Sequence, residues 1–376
     1  MKIAIASTFH PYRGGIAQFN DEMAKSLKSM GHDVRCYNWS RQYPSVLFPG
    51  KTQIKTGTSR PPSGPDAPMD SISPNSWRKT AIAILEHGDV DMVILPFWHS
   101  ALAPALRGVA KAIKKQSPLT KVVALMHNAT SHDGKASDKW LTKRFLNRVD
   151  SCITLSQSVT EDVEKLAPNL PIETLFHPLY NHYPKIESRL ESLNHLGLPN
   201  SAKHTILFFG IIRPYKGLTT LIKAAEYLNS EIHIIIAGEC YGSWNQYKRL
   251  IKASPAKSRI HVFNEFIPDS ELPYIFGASD MVVLPYLNAS QSGVTATAVH
   301  YNLPIIASDV GDLSSTITPG VTGDLVSPGT SKELAKAIND WINTEHRAED
   351  IITAYEVIRN TNSWEAFAEK LVKSGV

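Results

Sequence analysis

The sequence predicts an α/β fold of two doubly wound, parallel-sheet domains, on three observations. Short apolar runs at 91–95, 121–126 and 151–155, and again at 205–209, 232–237 and 281–284, have the length and composition of strands buried on both faces of a parallel sheet. Stretches of helical period separate many of them, so strand and helix alternate. The 376 residues, 43% of them hydrophobic, can fill two cores, and a polar, aperiodic stretch at 184–203 with Gly197, Pro199 and Asn200 reads as the crossing between them.

Taken in order, residues 2–7 form a strand, 16–30 an amphipathic helix, Gly31-His32-Asp33 a C-terminal turn, and 34–39 a second strand. The proline-, glycine- and serine-rich segment 48–77 has no periodicity and is expected to be a long loop or a lid. A helix at 78–86 and the three strands named above complete the first series. The second runs strand 205–209, helix 218–228, strand 232–237, helix 244–253, strand 260–263, helix 269–277, strand 281–284 and strand 304–307. The two series share a period but no close repeat, which implies two similar architectures and not a duplicated sequence. Near the end, Trp364, Phe367, Ala368 and Leu371 recur at i, i+3, i+4 and i+7, an apolar stripe that must be buried. The expected limits are 1–185 with 364–376 crossing back, and 186–363.

Composition excludes several classes. Charged residues make up 20% of the chain, and apolar runs such as 93–98 and 206–212 are far too short to span a bilayer. The N-terminus enters a strand pattern directly, without the succession of a signal peptide, so a cytoplasmic location is expected. Cys36, Cys152 and Cys240 are odd in number and widely spaced, offering neither a disulfide framework nor a metal knuckle. Residues 1–185 hold 23 Lys and Arg against 15 Asp and Glu, whereas 186–376 hold 16 against 20, so the halves are expected to face different partners.

Two segments carry candidate chemistry in the second half. In Phe209-Gly210-Ile211-Ile212-Arg213-Pro214-Tyr215-Lys216-Gly217 a strand ends on a glycine, and two cations precede a helix N-terminus, which itself favours negative charge. A diphosphate could sit there without a metal; a solvated basic turn is the alternative. The segment is neither a Walker loop nor a G-x-G-x-x-G fingerprint. After strand 281–284, Pro285-Tyr286 leads to a small polar loop through Ala289 and Ser290 to Gly293, and a helix whose first amides, at Ser292, Gly293 and Val294, could hold an anion. Strands of one doubly wound sheet deliver such loops to a common crevice.

In the first half, strand 121–126 ends on His127-Asn128, with His132-Asp133 just beyond. Imidazoles at a strand's C-terminal end could bond a ligand in the crevice, or be structural; no third ligand with metal spacing accompanies them. Arg107, Lys111, Lys114 and Lys115, and Lys135, Lys139, Lys143, Arg144 and Arg148, recur at helical spacing. They read as a solvated surface or as a docking face for anionic lipid, and nucleic acid is disfavoured because interleaved aromatics are missing.

These segments, with Gly14-Gly15-Ile16-Ala17, Ala237-Gly238, residues 269–286, residues 291–309 and Ser363-Trp364, resemble the GT-B glycosyltransferases of the large retaining family 4 over nearly the whole chain. His127-Asn128, His132-Asp133, His177-Pro178-Leu179-Tyr180 and Ser290-Gln291-Ser292-Gly293 are similar to a bacterial subgroup associated with polysaccharide or lipopolysaccharide assembly. The resemblance implies two Rossmann-like domains facing across a cleft. Arg213 and Lys216 would lie on the donor diphosphate, with Gly210, Gly293 and Val294 beside it. Gly238 and Glu239 would line the nucleotide pocket, Phe266 and Ile267 would hold the base edge, and Gly15 and Ser292 would join the donor site. The family's carboxylate pair is replaced by Ala289 and Thr297. Thr297 or Glu239 would then substitute at the ribose, or that contact is lost.

The expected activity is transfer of a hexose from a nucleoside diphosphate sugar to a hydroxyl of a glycan or lipid-linked acceptor. No cofactor or metal is expected, and contact with an anionic membrane is a further expectation. In this reading His127 orients the transferred sugar and Asn128, His132 and Asp133 meet sugar or acceptor. A GT-B epimerase or phosphorylase, or an inactive partner-binding subunit, is the alternative.

Overall fold

A computed structural model describes residues 1–43, 53–54, 61–129, 136–179, 183–289 and 292–375. The chain divides into two compact units, Met1–Pro178 with Asn362–Val376, and Leu179–Thr361.

Unit 1 contains β1 (Lys2–Ala6), α1 (Gly15–Ser29), β2 (Asp33–Tyr37), β3 (Trp39–Arg41), β4 (Met69–Asp70), α2 (Pro74–Leu85), β5 (Met92–Phe97), α3 (Ala103–Gln116), β6 (Lys121–Met126), α4 (Ala136–Leu146), β7 (Ser151–Thr154), α5 (Gln157–Leu166) and β8 (Ile172–Thr174). Its main sheet is parallel, in the order β2-β1-β5-β6-β7-β8. Every residue of β5 is buried, and the first residue of β6 alone is exposed in that strand, as a parallel sheet covered by helices requires.

Unit 2 contains α6 (Arg189–His195), β9 (His204–Phe209), α7 (Leu218–Ala224), β10 (Ile232–Ala237), α8 (Asn245–Ala253), β11 (Ile260–Phe263), α9 (Leu272–Gly277), β12 (Met281–Leu284), α10 (Gly293–His300), β13 (Ile305–Ser308), β14 (Gly323–Val326), α11 (Ser331–Asn343) and α12 (Ala348–Thr361). Its sheet, also parallel, has the order β11-β10-β9-β12-β13-β14. The chain then returns to unit 1 as α13 (Trp364–Gly375). The stripe of Trp364, Phe367, Ala368 and Leu371 is buried, and Ser26 Oγ donates to the Trp364 carbonyl at 3.0 Å, tying α13 to α1.

Several expectations are corrected. The stretch 184–203, expected to be polar and aperiodic, contains the helix α6. Ser188 caps α6: its Oγ accepts from Glu191 N–H at 3.3 Å and donates to the Glu191 carboxylate at 2.6 Å. The Arg189 guanidinium then reaches the Ala278 carbonyl and Asp280 carboxylate, both at 3.0 Å, and the Ala202 carbonyl at 3.1 Å. The helix expected at 78–86 starts earlier, with Pro74 in its first turn, where a missing N–H costs nothing. The helix expected at 269–277 opens as a tight turn, Asp269–Glu271, before α9. Of the loop at 48–77, part lies outside the described residues, and the rest contributes β4, whose Met69 packs in the core with Trp39 of β3.

Candidate functional site

In unit 2 the strand order reverses between β9 and β12, and such a switch point opens a crevice at the strands' C-terminal ends. Both candidate segments of the second half leave these two strands. After β9, Gly210 turns the chain at φ 99°. Ile212 N–H donates to the Glu239 carbonyl at 2.9 Å, and Tyr241 N–H to the Ile212 carbonyl at 3.0 Å, so the loops after β9 and β10 zip together. The short turn Pro214–Lys216 then ends on Gly217, whose φ of 69° is left-handed. A Cβ at Gly217 would collide with the Pro285 carbonyl, and one at Gly238 with the Gly210 carbonyl. Glycine at these two positions lets three loops touch main chain to main chain. Leu287 N–H donates to the Tyr215 carbonyl at 2.7 Å across one of these approaches.

This packing aims the cations. A Cβ placed on Gly210 would meet Lys216 Nζ and Val294 Cγ2, each at 3.3 Å, so the ammonium and the first turn of α10 flank one glycine. Lys216 Nζ also lies 5.1 Å from the Tyr286 ring centroid. Burial disfavours its charge, but the phenols of Tyr286 and Tyr215 more than restore it, and its pKa is raised above the ordinary lysine value. The Arg213 guanidinium lies over the Tyr241 ring at 5.3 Å. Ser292 caps α10, its Oγ accepting from Val294 N–H at 3.3 Å and sharing a hydrogen bond with the Tyr286 hydroxyl at 3.1 Å. Of the three amides expected to face an anion, that of Val294 is therefore engaged by its own cap, while Gly293 is exposed at the helix start.

The remaining expected donor residues fall in two groups. Gly238 and buried Glu239 follow β10, and Phe266, 37% exposed, and half-buried Ile267 follow β11 at the same end of the sheet. Thr297 departs from the expectation: it is buried, its hydroxyl donates to the Gly293 carbonyl at 3.2 Å, and it is hydrogen bonded to Tyr183. Ala289 is buried too. Gly15 belongs to unit 1, exposed at the start of α1.

Also in unit 1, His127 follows β6, its N–H donating to the Phe97 carbonyl at 2.8 Å. Its side chain is not displayed at a surface but is buried edge-to-face on Phe19, ring centroids 4.7 Å apart, and its Nε2 has no partner among the described residues. His177 packs on the same Phe19 at 5.2 Å. Burial, reinforced by His177, pushes the His127 pKa down to about 3, and burial takes His177 to about 4. His127 is thus neutral near pH 7, with one ring nitrogen protonated and the other a lone pair. Asn128 is half-buried beside it, and His132 and Asp133 lie outside the described residues.

Residues 197–371 match the family model described as glycosyl transferases group 1, and residues 13–175 match that of glycosyltransferase family 4. The chain belongs to these glycosyltransferases. It is 32% identical over 192 residues to the D-inositol 3-phosphate glycosyltransferase of Corynebacterium glutamicum (strain R), a match covering 48% of this chain and 44% of that relative. The chain thus spans under half the length of that protein. It is 24% identical over 405 residues to the α-maltose-1-phosphate synthase of Mycolicibacterium smegmatis, covering 99% of this chain and 98% of the other. The fold is that of the Anabaena protein HepE solved in complex with UDP, with a TM-score of 0.73, 18% identity and coverage of 100% and 99%. It is equally that of the sucrose-phosphate synthase of Thermosynechococcus elongatus, with a TM-score of 0.72, 16% identity and coverage of 99% and 98%.

For this family 4 chain, sequence reasoning assigned no role to Tyr286, which touches both a cation and the helix cap, nor to Tyr215, Tyr241 or Phe19. An aromatic beside a glycine turn reads as core filling, and the signal that could have separated it is Tyr286 falling at the end of a buried strand of the switch point.

Proposed function

We propose that the chain is a retaining, metal-independent glycosyltransferase that moves a hexose from a nucleoside diphosphate sugar to a hydroxyl acceptor, in bacterial cell-surface polysaccharide or glycolipid synthesis. The observation that carries this reading is the convergence of Lys216 Nζ and the first turn of α10 on Gly210 at the switch point of unit 2. As the C1–O bond breaks, its electron pair passes to the diphosphate, and Lys216, Arg213 and the exposed start of α10 stabilise that charge in place of a metal. The acceptor oxygen bonds C1 and its proton passes to the leaving phosphate. The neutral His127 is assigned to orienting the transferred sugar, which requires that a sugar hydroxyl gain access to its buried Nε2.

The acceptor side rests on unit 1. Trp140 on α4 is 55% exposed with the Arg144 guanidinium 4.6 Å over its ring, and burial together with Arg144 and Arg148 lowers the Arg107 pKa, so three cations crowd one face. An interfacial tryptophan within a cationic face suits an anionic membrane or a lipid-linked acceptor. Lys114 takes no part, since its ammonium is spent on the Pro118 carbonyl at 2.7 Å and the Asp150 carboxylate at 3.0 Å.

An inactive subunit is the second reading, favoured by Ala289 and by the inward-turned Thr297. Turnover of a nucleoside diphosphate sugar panel, with and without lipid extract, decides between them. The Arg213→Ala/Lys216→Ala variant is expected to lose about 100-fold or more in kcat/KM with its circular dichroism unchanged. Wild-type turnover in that variant overturns the diphosphate assignment, and no turnover of any donor by the native chain leaves the inactive reading.

A further inference from the structure

Helix α10 has eight residues, and Val294 through Val299 are all buried. So short a helix is marginal alone, and it is held by packing. Besides its own burial in the core, side chains near the two ends of unit 2 hold it. Leu179 opens unit 2, and Tyr183 follows shortly after it. The Tyr183 hydroxyl is hydrogen bonded to Thr297, and its ring stacks on Tyr301 at 6.4 Å and meets His300 edge-on at 5.5 Å. Tyr301 O–H in turn donates to the Pro184 carbonyl at 3.1 Å. At the other boundary, Thr361 closes unit 2, and Arg359 of α12 precedes it. The Arg359 guanidinium donates to the Val299 carbonyl at 2.7 Å and also bonds the Asn302 side-chain oxygen. Asn302 itself is left-handed, at φ 56°. One turn earlier Tyr355 O–H reaches the Leu303 carbonyl at 2.9 Å and the Thr322 carbonyl at 3.3 Å.

We infer that Tyr183 and Arg359 are positioning residues for the diphosphate: they brace α10 at its middle and its C-terminal end so that its N-terminal turn is held ready beside Lys216. Arg359 also places a cation on the negative end of the helix, which favours the same orientation that an anion at the other end favours. Neither side chain is placed on the ligand. The inference rests on the proposed function, since it concerns the anion site named there.

The test uses inorganic pyrophosphate, which does not depend on the identity of the donor base, and UDP, with uridine as the probe that lacks phosphate. Calorimetry is run on the native chain, Tyr183→Phe, Arg359→Ala and Arg359→Lys. Tyr183→Phe and Arg359→Ala are expected to weaken pyrophosphate and UDP about fivefold or more while uridine affinity stays as in the native chain. Arg359→Lys, which keeps the charge, should recover part of the loss. Native affinity for pyrophosphate and UDP in both variants overturns the inference, as does a parallel loss of uridine, which marks a general disturbance of unit 2. If the native chain itself binds neither pyrophosphate nor UDP, the proposed function fails first. Should Arg359→Ala not fold, the decision passes to Tyr183→Phe, which removes a single oxygen.

Discussion

His127 illustrates how burial sets what a titratable side chain can do. Packed on Phe19 with a pKa near 3, it stays uncharged at neutral pH, and the unmade bond at its Nε2 is a debt that a bound hydroxyl would settle. A bond of that kind helps the reaction only as far as it strengthens when the sugar ring flattens. His127→Asn is therefore expected to lower kcat by about 10- to 100-fold and leave UDP affinity unchanged. Steady-state kinetics beside calorimetry checks this; lost UDP affinity with normal kcat would move His127 to the nucleotide. The contrast with Arg213 and Lys216 explains what the sequence could tell. Two cations ahead of a helix start are a local pattern, readable in nine consecutive letters. The burial of His127 depends on Phe19, from a distant part of the chain, and the turning inward of Thr297 depends on Tyr183; no local pattern announces either.

Among elements, strands were the most legible, because a strand buried on both faces must be apolar almost throughout: β6, β10 and β12 have the bounds expected of them, as does the edge strand β11, although its Val262 is exposed. Helices whose apolar stripe is thin were harder. The α6 cap was present in the letters Ser188 and Glu191, yet the surrounding polar residues resemble a linker. The final helix was legible from its stripe alone. Its aromatic rings interlock with α1, Trp364 and Phe367 lying 5.0 and 5.6 Å from Phe19 between centroids. Trp364→Ala is expected to destabilise unit 1 by about 3 to 5 kcal/mol, measured by urea unfolding. An unchanged midpoint would mean that α13 contributes no core.

On the scale of the whole molecule, acid is the condition to which both units respond alike. His127 and His177 in unit 1, and His233 and His261 in unit 2, whose rings share a hydrogen bond at 2.9 Å, all have pKa values lowered first of all by burial. Each takes up a proton less readily when folded than when unfolded, where a histidine is protonated below about pH 6.5, so stability is full above that pH and falls as pH drops. His127 alone contributes about 2 kcal/mol of this loss by pH 5. Scanning calorimetry at pH 7, 6 and 5 should show a falling midpoint, with a shallower fall in His127→Asn. A midpoint constant over that range would mean that the folded imidazoles are already charged.

The return of the last helix to unit 1 has a consequence for the order in which the chain matures. Synthesis runs from the N-terminus, and domains fold as they emerge. Unit 2 is one uninterrupted stretch, so all its strands are available once Thr361 has left the ribosome. Unit 1, although begun first, lacks Trp364, Phe367 and Leu371 until α13 is made, and the face of α1 around Phe19 stays uncovered through the whole synthesis of its partner unit. The half that starts first is completed last, and a chain released from the ribosome through Thr361 but not yet through α13 would hold a finished second unit tethered to a first one with an open aromatic seam.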